Sequence, residues 1–193
     1  MNATNIRKAS YPISNIFLNR WSPRAMSGES ITPEELMPLF EAARWAPSSY
    51  NGQPWRFIYA YKNSPAWEKF FDLLVPANQA WAKNAAVLVV IASKKIFDYN
   101  GEPSRTHSFD TGSAWMSLAL QGSINNLVVH GMEGFDYEKA RAALHIPDEF
   151  EIEAMAAIGK PADKSVLPVE LQAKETPSDR KPVKDIAFEN MFK

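Results

Sequence analysis

Residues 85–92, Ala-Ala-Val-Leu-Val-Val-Ile-Ala, constrain the fold of this chain more than any other stretch. From Val87 the run is β-branched and apolar at successive positions. A strand built from it is buried on both faces, so other elements must cover it above and below. The run is also the longest apolar stretch in the chain and far too short to cross a bilayer.

The remaining elements follow from local signals. In Thr32-Pro33-Glu34-Glu35, Thr32 can cap a helix, Pro33 suits its first position and Glu35 completes a capping box. Leu36, Leu39, Phe40 and Ala43 continue at helical spacing, and the helix should stop just before Pro47. Trp55 to Tyr61 reads as a strand. Ser64-Pro65 starts a second helix with Trp67, Phe70, Phe71 and Leu74 on one face. A long helix is expected from about Phe109 to His130, capped by Asp110 and ended by Gly131. It is small or apolar on several faces, which places it at the centre of the domain or in a subunit interface. Asp136 caps a short helix to about Leu144, and Glu151 to Ile158 reads as a strand. From Ala162 to Lys193 periodicity fades, so this segment either trails in solvent or wraps a partner. Mixed helices and strands in this order predict an α+β domain, a central sheet with helices packed on it.

Several function classes drop out. A net charge of −1 leaves no bulk footprint for nucleic acid. With no Cys, there is no thiolate chemistry, disulfide or Cys-based metal site. The N-terminal residues lack the apolar core of a signal peptide, so a soluble cytoplasmic protein is expected. No two glycines are separated by a single residue, which excludes a G-x-G fingerprint and a P-loop. The three histidines lack ligand spacing, and His130 with Glu133 spans an expected helix end. A solvated or core role fits His130, and no metal is expected. Nor is there a G-x-S-x-G elbow for a serine nucleophile.

Two stretches carry more chemistry than structure requires. Asn19-Arg20-Trp21-Ser22-Pro23-Arg24 brings two guanidinium groups and a hydroxyl together, with Arg180 as a third cation in the tail. Arginine grips phosphate through paired hydrogen bonds, yet such residues are equally at home as surface charges. Arg44 to Phe57, RWAPSSYNGQPWRF, places Ser48, Ser49, Asn51 and Gln53 between Pro47 and Pro54. Gly52 permits a bend or a close approach to a ligand. A ligand loop and a tight connection that satisfies its own backbone both fit this composition. Trp45 and Trp55 at its rims are expected in the core.

Together these stretches resemble the FMN-dependent nitroreductase family, over about residues 16–185. Arg20-Trp-Ser-Pro-Arg24 is similar to the family's R-x-S-x-R phosphate motif. Ala46-Pro-Ser-Ser-Tyr-Asn-Gly-Gln-Pro-Trp55 is similar to its A-P-S-x-x-N-x-Q-P-W segment. Gly131-Met-Glu-Gly-Phe135, Ile158-Gly-Lys-Pro161 and Arg180-Lys-Pro182 follow in family order.

The resemblance implies a mostly antiparallel sheet flanked by helices, a single domain with its core at about 16–161, and an extension over 162–193 that wraps the partner of a homodimer. It implies that Arg20, Ser22 and Arg24, with Arg180, hold the phosphate and ribityl chain of FMN, Trp21 contributing mainly backbone. Asn78 would face the ring edge, and Met132, Glu133 and Gly134 would line the flavin. Pro47, Ser48, Ser49 and Asn51 would reach the flavin of the opposite subunit, with Gln53 in the same loop. The long helix would be the dimer spine. Where relatives often carry a cation near the flavin pyrimidine, Trp81 stands here, with Lys83 beyond.

The implied activity is that of an FMN oxidoreductase. Hydride from NADH or NADPH passes to the flavin, and a nitroaromatic, quinone or similar small acceptor then takes the electrons, in a ping-pong cycle. The cofactor carries the chemistry, so no catalytic side chain is needed. A flavin-binding protein without turnover, for storage or sensing, is the alternative.

Overall fold

The computed structural model describes residues 6–192. Met1–Asn5, part of the stretch read above as lacking a leader, and Lys193 lie outside them.

Four strands form the sheet: β1 (Trp55–Tyr61), β2 (Val87–Lys94), β3 (Val128–Met132) and β4 (Phe150–Gly159), in the order β1-β2-β4-β3. Every neighbouring pair is antiparallel. Trp55 faces Ser93, Val87 faces Ile158, and Met132 faces Met155. The apolar run is β2, an interior strand of the sheet, and Val87 to Ser93 are buried without exception. Side chains alternate across a strand. Val87, Val89 and Ile91 pack with Leu36, Leu39, Ala114 and Leu118 on one face. Leu88 and Val90 pack with Trp67, Phe70, Leu73 and Trp81 on the other.

Helices supply both covering layers. α2 (Pro33–Arg44) and α5 (His107–Ile124) cover the first face. The capping box on α2 forms as expected, Thr32 Oγ1 accepting from Glu35 N while Glu35 accepts from Thr32 N. α3 (Trp67–Phe71) and α4 (Pro76–Ala82) cover the second. α6 (Tyr137–Leu144) is capped by Asp136, whose side chain accepts from Lys139 N. A short α1 (Asn15–Asn19) leads into the arginine motif, and α7 (Val169–Gln172) opens the C-terminal segment.

Five sequence expectations change. The long helix ends at Ile124, not near His130, because Asn126 turns into the left-handed region at φ 56°. Residues 128–132 then form β3, so Gly131 lies in a strand rather than ending a helix. Asp110 is inside α5 and does not cap it; the cap position is Thr106. Trp45 is not core. It is 73% exposed and its Nε1 donates to Glu41, whereas Trp55 is buried as expected. The second helix is also shorter than expected and starts at Trp67.

Candidate functional site

The arginine motif folds as an extended segment between α1 and the buried Ala25-Met26 pair. A cavity of about 330 Å³ opens beside it. Arg20, Trp21, Ser22 and Arg24 line it from this segment, and Arg180 and Ser178 line it from the C-terminal tail. Residues 158 positions apart in sequence, Ser22 and Arg180, thus share one wall system. The structure adds Arg7 and Lys174, which sequence reasoning missed because neither belongs to a motif. No aspartate or glutamate lines this cavity.

The cations strain one another there. Burial, then the charge of Arg7, then that of Arg180, hold the Arg20 guanidinium below its ordinary pKa. Burial and Arg180 act likewise on Arg7, against the charge of Asp179. Arg7 is 7% exposed and engaged with backbone: Nε donates to Ser178 O at 2.8 Å, and Nη1 to Leu18 O at 3.1 Å and Arg20 O at 2.8 Å. Arg20 Nη1 donates to Ser22 Oγ at 3.4 Å. A cluster of guanidinium groups, two of them partly desolvated and none facing a carboxylate across the cavity, is complementary to a multiply charged anion such as a phosphate monoester.

His130 closes the cavity from β3. Its Nδ1 lies 2.9 Å from Pro23 O and its ring centre 4.5 Å from that of Trp81. Burial pushes its pKa down to about 4, and Arg24 and Arg20 push the same way against the Pro23 carbonyl. The neutral ring therefore donates from Nδ1. Trp81 itself is 2% exposed and sits in the core, so it does not take the place of a surface cation beside a ligand.

Two residues beyond His130, β3 ends at Met132 and the chain turns through Glu133 and Gly134. Val75 N and Asn78 Nδ2 both donate to Gly134 O, at 3.1 and 3.0 Å. A Cβ on Gly134 would stand 2.7 Å from Asn78 Nδ2 and 3.0 Å from Val75 Cγ2, so a side chain there would displace Asn78. The structure thus joins Asn78 on α4 to the 132–134 turn, and β3 links that turn to the cation cavity.

The loop over residues 47–53 lines neither this cavity nor a second one of about 610 Å³ near the end of α5. Much of its polar chemistry is internal. Gln53 N donates to Ser48 Oγ at 3.0 Å, and Gln53 Nε2 to Asn51 O at 3.0 Å. Ser49 N donates to Asp110 Oδ2 at 3.0 Å. Tyr50, Asn51 and Gln53 all have positive φ, at 50°, 52° and 45°. Three such non-glycine residues in four positions make this the most strained turn described in the chain.

Ser93, His107 and Glu153 meet as well. Ser93 Oγ lies 2.7 Å from His107 Nδ1 and donates to Glu153, but Ser93 is 0% exposed and no substrate can reach it. Among the described residues no group of three or more His, Asp or Glu could hold a metal ion, and no helix is long and apolar enough to cross a membrane.

A four-stranded antiparallel sheet between helical layers, with an arginine-lined cavity at the β3 edge, defines an α+β protein of the nitroreductase fold. The chain belongs to the nitroreductase family, whose pattern matches residues 18–160. It is similar to a solved oxidoreductase containing FMN, at 46% identity and a TM-score of 0.94, covering 100% of this chain and 99% of that one. It is 37% identical over 118 residues to an oxygen-insensitive NADPH nitroreductase of Helicobacter acinonychis (strain Sheeba). That match spans 54% of this chain and 53% of the relative, about half of each. A Desulfovibrio desulfuricans protein solved in complex with FMN shares the fold, with a TM-score of 0.72 at 21% identity, covering 96% of this chain and 100% of its own.

Proposed function

We propose that this chain is an FMN-dependent oxidoreductase that takes hydride from NADH or NADPH and reduces a small acceptor such as a nitroaromatic or quinone. The observation that carries the reading is the cavity lined by Arg20, Arg24, Lys174 and Arg180 without a carboxylate. A phosphate monoester brings a charge of about −1.5 to −2 near neutral pH, which offsets the mutual repulsion of these cations. Ser22 adds a hydroxyl donor, and Trp21 forms part of the wall. Bound here, FMN would supply the hydride and electron transfer chemistry.

The chain's own residues have supporting tasks. Asn78 braces the turn of Met132, Glu133 and Gly134, which presents backbone groups along the ring of the cofactor. His130, neutral near pH 7, packs under the cavity without adding charge. In this reading the protein is one cytoplasmic domain, with a core at about 16–161 and an extension over 162–193. It works as a homodimer in which Pro47, Ser48, Ser49, Asn51 and Gln53 serve the cofactor held by the partner. Exposed apolar residues on α5, Phe109, Met116 and Ile124, support that helix as the dimer spine. That the loop lines neither cavity of its own chain supports a role in the other subunit.

Purified protein should be yellow, and the colour should bleach anaerobically with NADH or NADPH and return on adding a quinone or nitroaromatic. A colourless protein that ignores added FMN would sink the proposal. A yellow protein that never bleaches would mark a flavin-binding protein without turnover.

A further inference from the structure

Residues 174–180 leave the turn after α7 and pass along the cation cavity without regular secondary structure. Lys174, Thr176, Ser178 and Arg180 line it, while Glu175 and Pro177 between them are buried. The segment is thus a strap whose cavity-lining residues alternate with the buried Glu175 and Pro177, while Asp179 is exposed. The anchor is Glu175, 4% exposed. Its Oε1 accepts from Arg24 N at 2.7 Å and from Ala25 N at 2.8 Å. These two amides are the last of the arginine motif and the residue that follows it, 151 and 150 residues away. At the other end Arg7 Nε donates to Ser178 O while its Nη1 donates to Leu18 O and Arg20 O. A carboxylate and a guanidinium, both bonded to backbone, therefore pin two points of the strap to the motif that carries the other cations.

We propose that Glu175 is a positioning residue that latches the 174–180 strap onto the arginine motif and so assembles the anion cavity from two distant segments. It touches no ligand itself. The inference rests on the proposed FMN site only for the identity of the anion; the latch is a property of the chain. Without the latch, Lys174 and Arg180 lose their registry with Arg20 and Arg24, and paired contacts to a phosphate need that registry. A carboxylate this close to an anion site acts on binding in two opposed senses. Through its charge alone it would weaken anion binding, and its removal would tighten it. Through its hydrogen bonds it preserves the cavity, and its removal would loosen it.

That opposition in sign makes the test. FMN and riboflavin are titrated into flavin-depleted wild type, Glu175→Ala and Glu175→Gln by quenching of flavin fluorescence. Glu175→Ala removes both bonds and should raise the Kd for FMN about tenfold, leaving riboflavin within about twofold. Glu175→Gln keeps an acceptor oxygen and should stay within about threefold of wild type for FMN. Tighter FMN binding by both variants, or an unchanged Kd in Glu175→Ala, would overturn the latch. Tryptic cleavage at Lys174 and Arg180, without flavin, gives a second readout. It should be faster in Glu175→Ala than in wild type, and equal rates would also overturn it. If wild type ignores FMN the proposed function falls, and the cleavage rates still decide the latch. If Glu175→Ala does not fold, wild-type cleavage with and without FMN decides: protection supports the strap as part of the site, and equal rates refute it.

Discussion

The backbone N–H of Ser49 donates to the carboxylate of Asp110 at 3.0 Å, across 61 residues of sequence. The same oxygen accepts from Thr106 Oγ1 at 3.1 Å. Asp110 is buried within the first turn of α5, so one side chain ties the strained 47–53 loop to the longest helix. Replacing it with alanine leaves the Ser49 amide without that partner. Asp110→Ala should cost about 2 kcal/mol in urea unfolding, and Asp110→Asn, which keeps an acceptor, clearly less. Equal stability of Asp110→Ala and wild type would show that the loop holds its shape unaided.

Gly122 lets α5 pack tightly against the sheet. A Cβ there would sit 2.3 Å from Val129 Cγ2 on β3 and 3.5 Å from Leu39 Cδ2 on α2. Alanine is the better helix former by about 1 kcal/mol, but the clash outweighs that gain. Gly122→Ala should destabilise by about 2 kcal/mol, and adding Val129→Ala should recover part of the loss. A double-mutant cycle checks this, and strict additivity would contradict the contact.

Stability should fall in mild acid because of His130. Its pKa is about 4 in the fold, held there first by burial, against 6.5 for the free side chain. Above 6.5 both states are neutral at this residue. As pH falls from there to about 4 the unfolded chain takes up a proton that the folded one refuses, so unfolding gains. Between pH 7 and 5 the loss assigned to His130 is about 2 kcal/mol in flavin-free protein. His130→Phe, which keeps a ring on Trp81, should flatten that part of the profile in urea titrations at the two pH values. An unchanged profile would mean that His130 is not the group responsible.

Arg20→Ala combined with Arg180→Ala should release FMN while the protein remains folded. Removing two of the mutually repelling cations should also leave flavin-free protein at least as heat-stable as wild type, since sites built for ligands carry such strain. Flavin content after desalting and the melting temperature measure the two effects. Equal flavin occupancy in the variant and wild type would refute the phosphate assignment.

Much of this was legible locally. The Thr32-Glu35 capping box, the Asp136 cap and the doubly buried run at β2 are short-range signals, and each forms as written. β3 was harder. Leu127-Val128-Val129 continues the apolar character of α5, and the break depends on Asn125-Asn126, where Asn126 adopts a left-handed turn. An asparagine pair after a helical run is the available signal. α4 was missed because Val75-Pro76 offers no side-chain cap. Trp45 was misplaced because its type suggests burial, while its position after the end of α2 leaves it in solvent.

The sequence by itself determined the arginine motif, the 46–55 loop, and hence the family, because those residues are contiguous and their chemistry survives without a fold. Only the tertiary structure decided which residues complete the cavity. Arg7, Lys174 and Glu175 carry no motif of their own, and they matter through hydrogen bonds and charges that act over ångströms in space. The antiparallel order β1-β2-β4-β3 carries β3 and its His130 to the sheet edge, where the arginine motif and the tail strap close over them.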